Sequence, residues 1–206
     1  MTVLFPPSEF DAWAETYDQT VTVDDFPFDG YECALDTVVT LADARPGMNV
    51  LDLGTGTGNL LLRFAKEGCD LWCTDFSEAM LAKARAKLPQ AHFFLADLHG
   101  DWPAELNRKF DCIVSAYVFH HFELDEKIRL IKMLAERLTP GGGLVIADIS
   151  FLDAGALETV KRSLGEQWED EYYWIADEAI SALEQVGLKV EYVPVSFCAG
   201  AYKISV

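Results

Sequence analysis

Along this chain the spacing of hydrophobic positions alternates between the helical period and short continuous runs. Residues 31–43 carry Leu35, Val38, Val39 and Ala42 at helical spacing, and Arg45-Pro46-Gly47 breaks the pattern. Val50–Leu53 is a short apolar run suited to a buried strand. Asn59–Lys66 turns Leu60, Leu61 and Phe64 to one face and ends at Gly68, as a helix would. The alternation then repeats: a strand at Asp70–Thr74, a helix at Glu78–Leu88 capped by Ser77 and stopped by Pro89, and a strand at His92–Leu95. Asp111–Ala116 is apolar almost throughout, which predicts a strand covered on both faces. A long amphipathic helix is predicted over Glu123–Leu138, a turn at Pro140–Gly143 and a strand at Leu144–Ile149. A helix over Asp177–Val186, with Asp177 as its cap and Gly187 at its end, precedes two closing strands, Leu188–Val195 and Ala201–Val206.

Strands alternating with helices imply an α/β chain with a mostly parallel sheet and helices on both faces. Two segments fit the alternation poorly, residues 1–30 and about 150–175, and both are rich in aromatic side chains. With 206 residues, one domain with a single sizeable core is expected. There are no internal repeats and no low-complexity linker.

Composition narrows the range of partners. Half of the residues are hydrophobic, which argues against disorder, and 34 acids against 16 bases leave a formal net charge of −18. Such a surface repels phosphate backbones and anionic lipid, and no basic run offsets it, so neither nucleic acid nor membrane is expected as a partner. The five cysteines are scattered; Cys69 and Cys73 lie close together, but no second pair completes a zinc site. Reduced, mostly buried thiols in a cytoplasmic protein are the expectation. Residues Met1–Pro7 lack the basic and apolar regions of a signal peptide, and no apolar run approaches the roughly 20 residues that span a bilayer.

The segment Asp52-Leu53-Gly54-Thr55-Gly56-Thr57-Gly58 carries the most chemical information. It joins a strand to a helix N-terminus through glycines at alternate positions, so a ligand can approach bare backbone. A dinucleotide site, as in a nicotinamide oxidoreductase, requires G-x-G-x-x-G, but position 59 is asparagine and Gly58 arrives one residue early. A pyrophosphate gains nothing from the carboxylate of Asp52, whereas an ammonium or sulfonium ligand does.

This motif resembles that of the class I S-adenosylmethionine-dependent methyltransferases, in which an acid precedes G-x-G-x-G. Asp75-Phe76 after the second strand, Ala96-Asp97-Leu98 after the third, Phe110–Ser115 and Leu138–Gly142 resemble the later motifs in order, so that the resemblance covers about residues 45–150. It is closest to small bacterial members acting on small molecules. The resemblance implies a Rossmann-like, doubly wound sheet of about seven strands, mostly parallel with an antiparallel last strand, under an N-terminal helical cap. It further implies S-adenosylmethionine as cofactor. Asp75 would hold the ribose hydroxyls, since a carboxylate can accept two hydrogen bonds from a cis-diol. Phe76 would lie against adenine, and Asp97 with the following Leu98 backbone would meet the adenine edge. Gly54, Thr55, Gly56 and Gly58 would form the turn around the cofactor, and Ser115 and Ala116 would lie beside its methionine part. Asp52 would either contact the ligand or brace the turn.

Phe10–Asp18 resembles the lid of small-molecule members, with Phe10, Trp13 and Tyr17 on one helical face; Trp13 and Tyr17 would then touch the cofactor, the alternative being plain packing on the sheet. Residues 1–30 would thus be lid, 31–150 the cofactor-binding core, 150–175 a variable aromatic segment, and 176–206 a C-terminal helix and strands. His120-His121 follows the fourth strand, and His121 is the candidate general base by its match to a recurrent position; its alternative role is to support the loop. No metal is expected, because no other histidine pairs with these at ligand spacing and Glu123 alone is not a site. Phe26, Phe28, Tyr31, Trp168, Tyr172, Tyr173 and Trp174 either line an acceptor pocket or cover the top of the sheet. Glu166, Glu169, Asp170 and Glu171 read as a solvated face. The expected activity is methyl transfer to a small molecule by alignment and desolvation, in a monomer or homodimer. The rivals are a non-catalytic sensor of the cofactor and the oxidoreductase.

Overall fold

The computed structural model describes residues 7–23 and 25–206. Residues 1–6, on which most of the signal-peptide expectation rests, lie outside the described residues. Two short helices open the chain, α1 (Pro7–Trp13) and α2 (Tyr17–Thr20), followed by α3 (Tyr31–Ala42). The alternating core is β1 (Asn49–Leu53), α4 (Asn59–Lys66), β2 (Asp70–Asp75), α5 (Glu78–Lys87), β3 (His92–Leu95), β4 (Phe110–Ala116), α6 (Leu124–Ala135) and β5 (Leu138–Phe151). The chain closes with α7 (Ala154–Leu164), β6 (Trp174–Ile175), α8 (Ala176–Gln185), β7 (Lys189–Pro194) and β8 (Ala199–Ser205).

Seven strands follow the order β3-β2-β1-β4-β5-β8-β7, and β6 adds an eighth beside the end of β5. β1 to β5 pair in parallel, whereas β8 runs antiparallel to both β5 and β7. The expected Rossmann-like α/β sheet with an antiparallel last strand is therefore present. β8 is inserted between β5 and β7, so the last strand of the chain lies inside the sheet. Strand order reverses between β1 and β4, and it is outside the carboxyl ends of strands at such a switch point that open α/β sheets bind ligands.

Period-two alternation distributes the core. Val50 joins Leu35, Val38 and Phe64 on the α3–α4 face, while Leu51 and Leu53 join Phe110, Ile131 and Trp174 on the other. Ser77 caps α5 as expected, its hydroxyl accepting from Met80 N at 3.1 Å.

Three local expectations need correction. The helix expected to reach Leu138 stops at Ala135, because Arg137 O accepts from Phe110 N and Leu138 enters the sheet opposite Phe110. The expected turn at Pro140–Gly143 is an irregularity within β5: the register jumps from Phe110–Leu138 to Cys112–Gly143. Asp177 does not cap α8; the cap position is Ile175, and Asp177 Oδ1 instead accepts from Glu178 N within the first turn.

The irregular segments are ordered by tertiary contact. Residues 14–16 break the N-terminal helix, yet Phe10, Trp13 and Tyr17 still form a row, with successive ring centroids 6.2 and 4.8 Å apart. α7 is capped by Asp153, which accepts from Ala156 N at 2.8 Å. Among the described residues no helix is long and apolar enough to cross a membrane.

Candidate active site

β1 delivers the chain to the switch point and the glycine turn begins at once. Gly54 has φ +67°, and a Cβ there would come within 2.4 Å of Val118 Cγ2. Gly56 has φ +55°, but a Cβ there would meet nothing within 4 Å. The first position is thus a close approach of backbone to protein, and the second faces open space in a cleft. Gly58 follows as the N-cap residue of α4, and the amide of Thr55 is held by Thr74 O at 2.8 Å.

Acids stand at the carboxyl ends of three neighbouring strands. Asp52 lines the cleft and is 1% exposed, and neither carboxylate oxygen makes a hydrogen bond of normal geometry among the described residues. Burial pushes its carboxyl well above the usual range. A buried carboxyl without a partner, facing a cleft, calls for a donor or cation from a ligand. Asp75 Oδ2 accepts from Gly56 N at 2.7 Å and Oδ1 from Ser77 N at 2.8 Å. Burial raises it to about 6 despite those bonds. Each oxygen keeps a lone pair for another donor. Asp97 is exposed after β3 and accepts from His99 N at 2.9 Å, and Leu98 packs against the α6–α8 core.

The other expected residues divide. Thr55, Gly56, Tyr17 and Ala116 line the cleft. The Ser115 hydroxyl is buried and donates to Leu53 O at 2.8 Å, so it ties β4 to β1. Trp13 is absent from the cleft lining; its indole Nε1 donates to Thr20 Oγ1 at 3.4 Å and its ring leans on Tyr17 and Phe28. Phe76 receives Phe10 edge-on at 4.9 Å.

Of the aromatics expected either to line a pocket or to cover the sheet, Tyr31 lines the cleft, whereas Asn59 and Tyr117 carried no readable signal in the sequence. Asn59 also lines the cleft, and Tyr117 packs on Tyr31 at 5.2 Å between centroids. Tyr117 has φ +57°, a strained conformation for a tyrosine, immediately after β4. Asp18, at the end of the lid-like segment, accepts from Thr57 Oγ1 at 2.5 Å, Asn59 Nδ2 at 3.1 Å and Lys87 Nζ at 2.6 Å. Asp11 accepts from Ser77 Oγ at 2.6 Å, and Glu15 pairs with Lys83 at 2.7 Å. Pinned in this way over the turn, α1 and α2 leave a cavity of about 20 Å³, room for one water molecule.

On the far side of β4, His120 Nδ1 lies 2.6 Å from Asp148 Oδ1 and its amide donates to Oδ2 at 2.9 Å. Ile149 N and Trp174 Nε1 also donate to Asp148, which is fully buried on β5. Burial opposes charge on His120, but Asp148 outweighs it, and the imidazole titrates above its ordinary value. Burial likewise opposes charge on Asp148, yet His120 and Lys127 hold it below the carboxylate range. His121 behaves differently: burial, reinforced by His120, pushes it down to about 3. That is a poor match for a general base, which works best with a pKa near the operating pH.

Glu171 departs from the expected solvated face. Its side chain is 14% exposed and lies 3.6 Å from His121 Nδ1 and 3.9 Å from His120 Nε2. The expectation of no metal rested on the lack of another histidine at ligand spacing and on Glu123 alone; the fold brings a different carboxylate, Glu171, beside the pair from the segment after α7. The aromatics of that segment mostly pack on one another. Phe26 stacks on Trp168 at 5.5 Å, Tyr173 stands edge-on to both, and Phe151 backs the group. Trp174 is core, stacked on Tyr202 at 4.6 Å.

A Rossmann-like sheet with an antiparallel last strand and an acid-led G-x-G-x-G turn at its switch point defines a class, and the chain belongs to the class I S-adenosylmethionine-dependent methyltransferases. A model of the methyltransferase domain matches residues 50–142. An uncharacterized methyltransferase of Bacillus cytotoxicus is 34% identical over 196 residues, covering 89% of each chain. Another, from Alkaliphilus oremlandii, is 35% identical over 188 residues, covering 89% of this chain and 80% of that one. Among solved structures, the DhpI–SAM–HEP complex superposes with a TM-score of 0.74 at 19% identity, covering 97% of this chain and 95% of that one. Magnesium protoporphyrin IX methyltransferase of Synechocystis with bound SAH gives 0.74 at 21%, covering 96% of each. The protein is a methyltransferase whose cofactor is S-adenosylmethionine.

Proposed function

We propose that this enzyme methylates a small molecule in a closed site. The observation that carries this reading is the roof: α2 is held to the glycine turn through Asp18, α1 and the bend after it are held to Ser77 and Lys83 through Asp11 and Glu15, and among the described residues the cleft beneath is about 20 Å³. A formal charge of −18 points the same way, since it disfavours RNA and DNA. Five free thiols suit a reducing cytoplasm.

The residues present suit the cofactor. The buried, unpartnered carboxyl of Asp52 would meet its cationic amino-acid end, with Tyr17, Thr55 and Ala116 around it. Gly54, Gly56 and Gly58 would let the backbone approach. Asp75 would accept from the ribose hydroxyls, and Phe76, Asp97 and Leu98 would hold adenine. Ser115 would act by fixing β4 against β1, and Trp13 by steadying Tyr17 in the roof. When bound, the cofactor supplies an electrophilic methyl group with a neutral leaving thioether. The chain then has to align an acceptor and exclude water, which positioning and closure supply. His121, neutral over the physiological range, would border the acceptor rather than remove its proton.

The test incubates the full chain with methyl-labelled cofactor and separated cell-extract fractions. Label in the low-molecular-mass fraction is expected. Label confined to RNA or protein, or no transfer to any fraction, would overturn the reading.

A further inference from the structure

We infer that His120, His121 and Glu171 form a binding site for one divalent transition-metal ion. Their candidate ligand atoms all lie within 4.8 Å of one another, with 3.6 Å from His121 Nδ1 to Glu171 and 3.9 Å from His120 Nε2 to Glu171. Donors about 2.1 Å from a tetrahedral metal stand roughly 3.4 Å apart, so small side-chain adjustments complete the set.

A second, independent feature supports ligation. His120 Nδ1 is 2.6 Å from Asp148 Oδ1, which orients the ring and leaves Nε2 turned toward Glu171. Metal-bound histidines are held in this carboxylate–histidine arrangement. Asp148 is itself fixed by Ile149 N and Trp174 Nε1. Lys127 Nζ donates to the backbone carbonyl of Tyr172, next in the chain to Glu171. Two imidazoles and one carboxylate form a borderline donor set suited to Zn²⁺ or Co²⁺, with a coordination position left open.

The location gives the ion a use. Phe10 stands edge-on to His121 at 5.9 Å and to Phe76 at 4.9 Å, so one lid side chain separates the cluster from the expected adenosine site. A hydroxyl or thiol compound entering beside Phe10 could take the open position, where a metal lowers the pKa of a bound protic group. This use rests on the proposed function; the metal site does not.

The full chain, stripped with a chelator, is titrated with Co²⁺ under visible absorption and with Zn²⁺ by calorimetry. One equivalent is expected to bind, with d–d bands of a four- or five-coordinate nitrogen–oxygen site. Glu171→Gln should weaken binding by more than about 100-fold, and Asp148→Asn by about 10–100-fold. Absence of stoichiometric binding, a strong thiolate charge-transfer band, or unchanged affinity in Glu171→Gln would overturn the site. Loss of the site together with retained methyl transfer would leave the proposed function standing.

Discussion

Thr57 donates its hydroxyl to Asp18 at 2.5 Å, joining the glycine turn to a helix 39 residues earlier. Asp18 also takes Asn59 and Lys87, so one partly exposed side chain fastens the roof to the turn, α4 and α5. Asp18→Ala should loosen the roof. With each such bond contributing about 0.5–1.5 kcal/mol, cofactor release should quicken by several-fold. Stopped-flow tryptophan fluorescence would record it, and an unchanged release rate would show that the roof does not gate the cleft.

Two glycines of the turn should respond differently to alanine. Gly54→Ala combines a left-handed φ with a 2.4 Å approach to Val118, and should cost about 2–4 kcal/mol of stability. Gly56→Ala has the strain without the clash, so about 1–2 kcal/mol, but its methyl group projects into the cleft. Melting curves should separate the two variants, and calorimetry should show weak cofactor binding in the Gly56 variant while it remains folded.

Asp75→Ala should weaken cofactor binding by about 1.5–3 kcal/mol, the scale of hydrogen bonds to a charged group. The wild type should show a matching pH profile. Burial raises the carboxyl to about 6, above its unfolded value, so the native state binds the extra proton and stability falls as pH rises between about 4 and 6. Binding should follow the opposite course, strengthening as pH rises through 6, because only the carboxylate accepts from both ribose hydroxyls. Calorimetry from pH 5 to 8 tests this; a flat profile would remove Asp75 from the ribose role.

The His120–Asp148 pair should contribute stability within a defined window. The raised histidine contributes fully below its ordinary value of 6.5 and less as pH climbs through its folded value. The depressed carboxyl contributes above its ordinary 3.8 and less as pH falls through its folded value. Together they stabilise most between about pH 4 and 6.5. Asp148→Asn should cost about 3–5 kcal/mol, since it strips the charge from one side of a buried pair, and should flatten the decline in melting temperature above pH 6.5.

What could be read from the sequence was local. The glycine spacing, the acids at or within two residues of a strand end, the Ser77 cap and the apolar run of β4 are each set by neighbours in the chain, and each is found where expected. Helix ends fared less well: the stop at Ala135 depends on Phe110 claiming Arg137 O from another strand. Asp177 could not be judged as a cap without knowing that the chain before it pairs as β6 with β5.

By itself, then, the sequence determined the alternating α/β core and the acid-led turn at its switch point, because periodicity and turn chemistry act over a few residues, and the resemblance of its ordered motifs to a known family implied the cofactor. Tertiary structure decided the rest. It placed β8 inside the sheet, closed Asp11, Glu15 and Asp18 over the turn, and brought Glu171 some fifty residues along the chain to the two histidines. Partners so far apart in sequence meet only after the core has packed, and neither spacing nor composition records which will meet.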